Sequence, residues 1–369
     1  MTVAIVRGIH RALAKEDLSR AEMAEIIGQI MDGQATAAQI GGLLVGLRAK
    51  GEAVEELVGA ASAMRARALP LTCPAAGIDT CGTGGDGAGT INISTLAAFV
   101  IAGCGGTVAK HGNRALSSKC GSADVLEALG VHADAEPAVV ERCMQIAGIG
   151  FAFAPRFHSA TRHVSGPRKE LGTRTIFNLL GPLTNPANVA HQVVGVYDRA
   201  WCAHFAAALG ALGLRRAAVV HGEGNLDEIA VRGETFMAVW DGGVVNTLTL
   251  TPRAFGLGDV DPAGLAGGDA PFNAGVLRTV LAGHHVARGE RYEAVLHAAC
   301  MTAALGLELL EPTFDMARLP AQYKNAVKAI SSGAARLVLH KWREVSQAGA
   351  DVNIDDLAAL SPADFAGVE

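Results

Sequence analysis

The stretch Asp79-Thr80-Cys81-Gly82-Thr83-Gly84-Gly85-Asp86-Gly87, continued by Thr90-Ile91-Asn92-Ile93-Ser94-Thr95, decides the fold of this chain. It places a cluster of glycines between a short apolar run and a helical pattern. Glycine allows left-handed backbone angles and lets the chain approach a ligand closely. The free N–H groups at the start of a helix also favour an anion. The stretch therefore predicts a phosphate-binding loop, with an ordinary glycine-rich surface turn as the alternative.

A second polar block follows soon after the first. It runs Lys110-His111-Gly112-Asn113-Arg114 and continues with Ser117, Ser118 and Ser122. Lysine supplies a point charge for phosphate, and the hydroxyl and amide groups supply directed hydrogen bonds. A solvated surface loop with a charge run would have a similar composition. Because the two blocks lie so close together, we favour a phosphate-rich ligand.

The composition is that of a folded protein without general affinity for nucleic acid. Of the 369 residues, 50% are apolar and 18% are charged, and the formal net charge is −5. Disordered chains are poorer in apolar residues, and nucleic-acid binding needs a basic surface. Seven cysteines without a CxxC pair predict a reducing, cytoplasmic compartment. The N-terminus lacks a signal-peptide core, and glycine or charge interrupts the longest apolar runs, so we expect no membrane contact.

Residues 1–72 predict a small all-helical domain. Capping boxes begin at Ser19 and Thr36, and each is followed by apolar residues at helical spacing. Two further helices are predicted, one around Ile9 and one from Glu52. Their apolar stripes leave a surface that either packs on the rest of the chain or is buried against a second copy. We expect a homodimer through this domain.

Residues 73–369 predict a larger α/β domain with a mostly parallel central sheet flanked by helices, because strand patterns alternate with helical ones. Strands are predicted at 78–81, 107–110, 149–154, 191–197, 217–221, 236–240 and 244–250. Helices are predicted at 95–103, at 123–129 with Ser122 as N-cap, and at 137–147, 200–212, 274–281, 325–330 and 333–342, with another from 292 onward. Such sheets bind ligands beyond the C-terminal ends of their strands, and both polar blocks fall on that edge.

A third block, from Arg156 to Pro186, is rich in basic residues and prolines. A guanidinium group held near apolar residues binds a carboxylate through two hydrogen bonds. The block therefore predicts a carboxylate receptor as readily as it predicts a surface connector between helices.

The adjacent carboxylates Asp227 and Glu228 follow a predicted strand and turn. Mg²⁺ prefers hard oxygen ligands and keeps several waters, so this pair predicts a Mg²⁺ site beside a substrate diphosphate. Ser94 of the glycine-rich stretch is an additional candidate ligand, and an exposed acidic pair is the alternative. The sequence has no Walker GxxxxGK[ST] motif, no GxGxxG dinucleotide spacing, no GxSxG and no HExxH.

Together these motifs resemble the anthranilate phosphoribosyltransferase family, whose fold is shared with pyrimidine nucleoside phosphorylases. The resemblance extends from the helical start to about residue 281 and rests on 79–86, 92–95, 110–114, 174–182 and 226–228. It implies that the phosphoribosyl group of phosphoribosyl pyrophosphate is transferred to the amine of anthranilate. The products would be N-(5-phosphoribosyl)anthranilate and pyrophosphate, in tryptophan biosynthesis, with Mg²⁺ as cofactor. It also implies two copies that pair through the helical domain.

The resemblance implies a role for individual residues as well. The donor-binding set is Gly82, Gly85, Asp86, Thr90, Asn92, Ser94, Thr95, Lys110 and Ser122, with Asn113, Ser117 and Ser118 of the second block added to it. The anthranilate-binding set is Gly82, His111, Asn113, His158, Arg168 and Pro182, and the metal set is Ser94, Asp227 and Glu228. The segment 166–182 is expected to contribute to the helical domain. We expect catalysis by positioning and charge neutralisation, without a covalent intermediate or an essential general base.

The chain departs from the family pattern at three places. These are Gly166-Pro167 before Arg168, His297 in a C-terminal helix, and a longer stretch from Leu309 to Gln322. Two alternatives to the main interpretation are a pyrimidine nucleoside phosphorylase-like enzyme and a non-catalytic, nucleic-acid-binding paralogue of the same fold. The carboxylate-binding arginine argues against the first. The net charge and the complete acidic pair argue against the second.

Overall fold

Four helices open the chain, as predicted. A computed structural model describes residues 3–74, 76–115, 119–284, 289–348, 357 and 359–365. The helices are α1 (Val3–Leu13), α2 (Arg20–Met31), α3 (Ala37–Lys50) and α4 (Val54–Arg65). Both predicted capping boxes are present. The Ser19 hydroxyl accepts from the Glu22 N–H, and the Glu22 carboxylate accepts from the Ser19 N–H at 2.9 Å. Thr36 and Gln39 repeat the arrangement, so each cap satisfies N–H groups that the helix itself leaves unpaired.

A single mixed sheet of seven strands forms the centre of the described chain. Its strands are β1 (Ile78–Gly82), β2 (Val108–Gly112), β3 (Ile149–Phe153), β4 (His191–Gly195), β5 (Arg216–Gly222), β6 (Thr235–Asp241) and β7 (Val244–Leu250). They lie in the order β3-β2-β1-β4-β5-β6-β7. The first five in this order are parallel, whereas β6 and β7 are antiparallel. The prediction of a mostly parallel sheet is therefore confirmed.

The antiparallel edge follows from a two-residue turn. Gly242 and Gly243 join β6 to β7, and both have positive φ, +58° and +123°. Hairpin turns of this length favour left-handed residues, because their twist then matches that of the strands. The turn thus fixes the last two strands as a hairpin.

Helices cover both faces of the sheet. They are α5 (Ile93–Gly103), α6 (Ser122–Ala128), α7 (Pro137–Ala147), α8 (Ala154–Phe157), α9 (Arg162–Leu171), α10 (Phe177–Leu180), α11 (Trp201–Ala211), α12 (Ala270–Leu281), α13 (Glu290–Leu310), α14 (Leu319–Ser331) and α15 (Ala334–Ala348). Val219 and Val220 on β5 belong to different cores, because side chains alternate along a strand. Val220 packs in the core that contains Phe99 and Trp342, and Val219 packs in the core that contains Phe205.

The N-terminal helices share one core with the sheet. Leu44 of α3, Leu180 of α10 and Phe205 of α11 all belong to it and are fully buried. The short helices α9 and α10 pack against α2, α3 and α4. The segment between β3 and β4 therefore lies between the helical unit and the sheet.

One local prediction is wrong, and the helices α8, α9 and α10 were not predicted. The N-cap of α6 is Gly121 and not Ser122, which is the first residue of the helix. The carboxylate of Asp124 accepts from the N–H of the N-cap residue Gly121 at 2.8 Å, and the Ser122 hydroxyl instead donates to the Asn113 carbonyl. Helix α9 was not expected, and it keeps Pro167 in its interior.

One helix of the described chain has the length and the average composition of a membrane-spanning segment. Within the described residues, α13 is long and apolar enough for this, although 78% of its most apolar window is buried in the protein. Its Glu308 is fully buried and pairs with Arg318, so a charge that should interrupt the run is satisfied inside the fold. The burial of α13 identifies it as a core helix.

Candidate active site

The glycine-rich loop leaves the C-terminal end of β1, at the predicted edge of the sheet. Gly84, Gly85 and Gly87 have φ of +65°, +74° and +76°, which is the left-handed region that favours glycine. One guanidinium nitrogen of Arg174 donates to the carbonyl of Gly85, and this guanidinium also lies 4.1 Å from the centre of the Tyr197 ring. The loop is thus tied to the segment between α9 and α10.

Asp227 and Glu228 lie directly against this loop. The Asp227 carboxylate accepts from the Gly84 N–H at 2.8 Å, and Glu228 accepts from the Ser94 N–H at the start of α5 at 3.2 Å. A Cβ atom at Gly82 would lie 2.6 Å from an Asp227 carboxylate oxygen. Asp86 is close as well, because its carboxylate accepts from the Asp227 N–H at 3.4 Å. The predicted acidic pair and the predicted loop therefore form one site.

Asp227 and Glu228 both have raised pKa values. Burial and the neighbouring Asp86 raise the pKa of Asp227 to about 7, and burial together with Asp227 raises the pKa of Glu228 well above its usual value. A cation would relieve this repulsion. No group of three or more His, Cys, Asp or Glu in the described part of the chain is arranged to hold a metal by itself. Mg²⁺ is commonly held by one or two carboxylates and the phosphates of its substrate, and this donor set fits that mode.

Lys110 lies within β2 and points into the protein, not into an exposed loop. Its side chain is buried, and its ammonium donates to the carbonyl of Thr80 and, at 3.3 Å, to the Ser94 hydroxyl. Burial lowers the pKa of Lys110, whereas Asp79 and Glu228 favour its charged form. Burial also raises the pKa of Asp79 to about 6. Lys110 therefore contacts the two elements that flank the glycine-rich loop, which are the main chain of β1 and the start of α5.

Two neutral histidines lie beside the loop. The rings of His111 and His158 are 5.1 Å apart in an edge-to-face arrangement, and both side chains are buried. Burial lowers the pKa of His111 to about 3 and that of His158 to about 4. Nδ1 of His111 lies 3.1 Å from the Gly181 carbonyl, which only accepts, so Nδ1 carries the proton. Nε2 of His111 is then an unprotonated acceptor, and it has no hydrogen-bond partner among the described residues.

Arg168 on α9 provides a positive charge on the same side. Its guanidinium lies 5.4 Å from the centre of the Phe177 ring, and burial lowers its pKa. No carboxylate of the described chain forms an ion pair with it. Pro182, another residue of the anthranilate-binding set, is buried in the turn after α10. An unpaired guanidinium beside neutral rings is suited to an aromatic carboxylate.

Several members of the predicted donor set are occupied within the protein. The amide of Asn92 donates to the Cys120 carbonyl and accepts from Asn273 at 2.9 Å. Asn113 accepts from the Ser122 hydroxyl through its main-chain carbonyl at 3.3 Å. Thr90 forms an isolated bridge with Ala266, and Thr95 is buried in α5 with an unpaired hydroxyl. Ser117 and Ser118 lie outside the described residues.

Comparison with known proteins identifies the family. Residues 75–336 match the profile of a glycosyl transferase family a/b domain, and residues 7–68 match that of a glycosyl transferase family helical bundle domain. The anthranilate phosphoribosyltransferase of Paramagnetospirillum magneticum is 48% identical over 342 residues, which are 92% of this chain and 96% of that relative. The chain belongs to the anthranilate phosphoribosyltransferase family.

Solved structures of anthranilate phosphoribosyltransferases have the same fold. The enzyme from Thermus thermophilus is 40% identical with a TM-score of 0.84, over 92% of this chain and 99% of that chain. The Saccharomyces cerevisiae enzyme, in complex with PRPP and Mg, is 27% identical with a TM-score of 0.83, over 94% of this chain and 98% of that chain. The predicted fold, a helical bundle and an α/β domain, is thus that of the anthranilate phosphoribosyltransferase family.

The three departures from the anthranilate phosphoribosyltransferase pattern lie in α9, in α13 and after α13. Gly166 and Pro167 lie within α9, and a Cβ at Gly166 would meet open space. His297 packs edge-on against Tyr323 with ring centres 6.1 Å apart, in the contact between α13 and α14. An ion pair between Glu308 of α13 and Arg318 connects the two ends of the longer stretch after α13.

Four residues of this anthranilate phosphoribosyltransferase site were not assigned a role from the sequence. Asn185 donates to the buried Asp79 at 2.8 Å, Arg174 holds the Gly85 carbonyl, and Arg65 and Gln192 contact the turn around Pro182. They act through main-chain carbonyls or buried acids. No local spacing announces such partners, because each is distant in sequence from the group it holds.

Proposed function

We propose that this protein transfers the 5-phosphoribosyl group of phosphoribosyl pyrophosphate to the amine of anthranilate, releasing pyrophosphate, as a step of tryptophan biosynthesis. One observation carries the proposal. The glycine-rich loop, the acidic pair and His111 all lie at or beyond the C-terminal ends of parallel strands, and Arg174, which follows the helix that carries Arg168, donates to the Gly85 carbonyl of that loop. The names of the relatives agree with this interpretation.

The acidic half is the proposed donor site. The N–H groups of Gly84 and Ser94 point into it, and both are held by carboxylate oxygens where phosphate oxygens would otherwise bind. We assign to the donor the set Gly82, Gly85, Asp86, Thr90, Asn92, Ser94, Thr95, Lys110, Asn113, Ser117, Ser118 and Ser122.

Asp227, Glu228 and Ser94 are the proposed ligands of Mg²⁺. Burial first, and the neighbouring carboxylates second, raise the pKa values of the two acids, and the Saccharomyces cerevisiae relative was solved in complex with PRPP and Mg. When bound, the cation would neutralise charge on the leaving diphosphate.

The other half is the proposed acceptor site, with Gly82, His111, Asn113, His158, Arg168 and Pro182 as its members. Arg168 would bind the carboxylate of anthranilate, since no acid of the described chain competes for it. The rings of His111 and His158 would line the path of the aromatic ring. His111 presents the lone pair of Nε2, which suits the N–H of an amine.

The reaction forms a bond between the amine nitrogen and the anomeric carbon of the ribose and breaks the bond from that carbon to pyrophosphate. The electron pair of the broken bond leaves with pyrophosphate, and the amine loses one proton to solvent. Aromatic amines are neutral near pH 7, so the nucleophile needs no prior deprotonation. The residues of the site then act by holding the two reactants in line and by excluding water between buried side chains.

Assembly and compartment complete the proposal. Val3, Val6 and Leu13 on α1 are 66%, 40% and 70% exposed and lie along one face, with Val45 of α3 at 47%. Such an apolar face on the helical unit fits a homodimer.

We assign residues 1–72, with the segment 166–182, to the helical domain and residues 73–369 to the α/β domain. A cytoplasmic location agrees with seven cysteines that form no disulfide bond in the described part of the chain.

The loss of anthranilate fluorescence tests the function. Purified protein is incubated with anthranilate, phosphoribosyl pyrophosphate and Mg²⁺, and each component is omitted in turn. Fluorescence loss that requires all of them, with an equal amount of pyrophosphate released, is the expected result. A protein that is folded by circular dichroism but causes no loss would refute the proposal, and a gel-shift assay with single-stranded DNA would then test the nucleic-acid-binding alternative.

A further inference from the structure

The turn Gly181–Leu183 follows α10 and carries Pro182 of the acceptor site. It is a short 3-10 helix, so its carbonyls are not all satisfied within the turn. The three successive carbonyls each accept a hydrogen bond from a different part of the protein: β2, β4 and α4. A turn held at every carbonyl has a fixed position relative to all three elements.

The first carbonyl fixes a histidine. The Gly181 carbonyl lies 3.1 Å from Nδ1 of His111 and also accepts from Thr184. Because this contact sets the tautomer and the ring direction of His111, any movement of the turn would move the unpaired Nε2 as well.

The second carbonyl is held by a buried amide. Nε2 of Gln192 donates to the Pro182 carbonyl at 2.7 Å, and the Gln192 side chain is fully buried in β4. The same nitrogen lies 3.1 Å from the sulfur of Cys81 on β1. Gln192 therefore connects the turn to the two central strands, one of which leads into the glycine-rich loop.

The third carbonyl is held by a cation from the helical unit. Nε of Arg65, at the end of α4, donates to the Leu183 carbonyl at 2.8 Å, and a terminal nitrogen contacts the Leu212 carbonyl at 3.4 Å. No carboxylate of the described chain pairs with Arg65. Burial lowers its pKa to about 10, so it is charged at neutral pH. Its hydrogen-bonding capacity is directed at main-chain carbonyls, which is the arrangement expected of a group that holds a backbone in place.

We propose that Arg65 and Gln192 are positioning residues for the aromatic acceptor. By holding the Leu183 and Pro182 carbonyls they set the place of Pro182 and the direction of the His111 ring, and neither donates a hydrogen bond to the residues assigned to the donor in the described chain. This inference rests on the proposed function, since it assigns these residues to the acceptor of that reaction.

The test compares Gln192→Met, Arg65→Met and Arg65→Lys with the unaltered protein. Methionine has about the length of glutamine, is shorter than arginine, and in both places removes the donor. With anthranilate and the donor varied separately, each methionine variant should raise KM for anthranilate about three- to tenfold, the effect of losing one hydrogen bond. The kcat and the KM for phosphoribosyl pyrophosphate should stay within about twofold. Arg65→Lys, which can still donate to one carbonyl, should lie between Arg65→Met and the unaltered protein.

Arg67→Met is the matched control. Arg67 lies two residues further along, and its guanidinium pairs with Asp32 on the helical unit. It should lower stability slightly and leave both KM values unchanged. An unchanged KM for anthranilate in folded Gln192→Met would overturn the inference, as would equal rises in both KM values. If Arg65→Met does not fold, Gln192→Met decides alone. An unaltered protein without transferase activity would overturn the proposed function together with this inference, whereas active but insensitive variants overturn only the inference.

Discussion

Replacing Arg168 by methionine should weaken anthranilate binding while leaving donor binding intact. Its guanidinium lies 5.4 Å from the centre of the Phe177 ring and lacks an acidic partner in the described chain, so it is available for a substrate carboxylate. A hydrogen bond to a charged group contributes about 1.5–3 kcal/mol, which corresponds to a rise in KM for anthranilate of about 10- to 150-fold. The contact of the guanidinium with the Phe177 ring is lost as well, which costs about 0.5–2 kcal/mol, and we expect the fold to tolerate this loss.

The assay is steady-state fluorescence with anthranilate varied at saturating donor. Arg162→Met serves as the control, because Arg162 lies on the same helix but is exposed, and its KM values should not change. Arg168→Lys keeps the charge without the two-pronged geometry and should recover part of the loss. A KM for anthranilate within about twofold of the unaltered value in folded Arg168→Met would refute the assignment of this arginine to the substrate carboxylate.

Three further predictions concern the metal, pH and assembly. Asp227→Asn combined with Glu228→Gln should raise the Mg²⁺ concentration for half-maximal rate at least about tenfold, and an unshifted titration would remove the metal assignment. Burial lowers the pKa of His158 from 6.5 to about 4, so the stability that depends on the neutral ring is present above pH 6.5 and is lost as the pH falls towards 4. Between pH 7 and pH 5 the unfolding free energy of His158→Gln, measured by urea titration, should therefore fall by about 2 kcal/mol less than that of the unaltered protein. Equal falls in the two proteins would contradict this. Val6→Glu with Leu13→Glu should give monomers in sedimentation velocity, whereas persisting dimers would place the interface elsewhere.

Strong local patterns explain why most of the fold was predictable. The capping boxes at Ser19 and Thr36 satisfy helix N–H groups within four residues of sequence, so the pattern and the structure depend on the same contacts. The apolar runs of β4, β5 and β7 likewise predicted strands at the places where they lie. Helix α9 could not be predicted in this way, because Pro167 lies in its interior and its stability comes from packing on α2 and α3.

The candidate site was predictable where its residues follow strands and unpredictable where they act through the main chain. Gly82, Lys110 and Asp227 lie in or after β1, β2 and β5, whose C-terminal ends share one edge of the sheet, and this edge brings Gly82 and Asp227 together. The burial of Lys110 was missed, since a buried lysine is rare and its acceptor is the carbonyl of a neighbouring strand. Arg65 lies 118 positions from the carbonyl that it holds, so only the folded structure connects them.

On the proposed assignment of the donor and metal sites, the contacts of Asp227 and Glu228 with the N–H groups of Gly84 and Ser94 would make donor binding an exchange. Each diphosphate oxygen that reached one of these N–H groups would displace the carboxylate oxygen that accepts from it. The number of hydrogen bonds would then stay constant, and the displaced carboxylates would become free to hold a divalent cation. Cation and diphosphate would bind as linked ligands, each raising the affinity of the other by the same factor. A diphosphate without its cation would compete with both carboxylates, so the proposed site would select the metal complex before any chemistry begins.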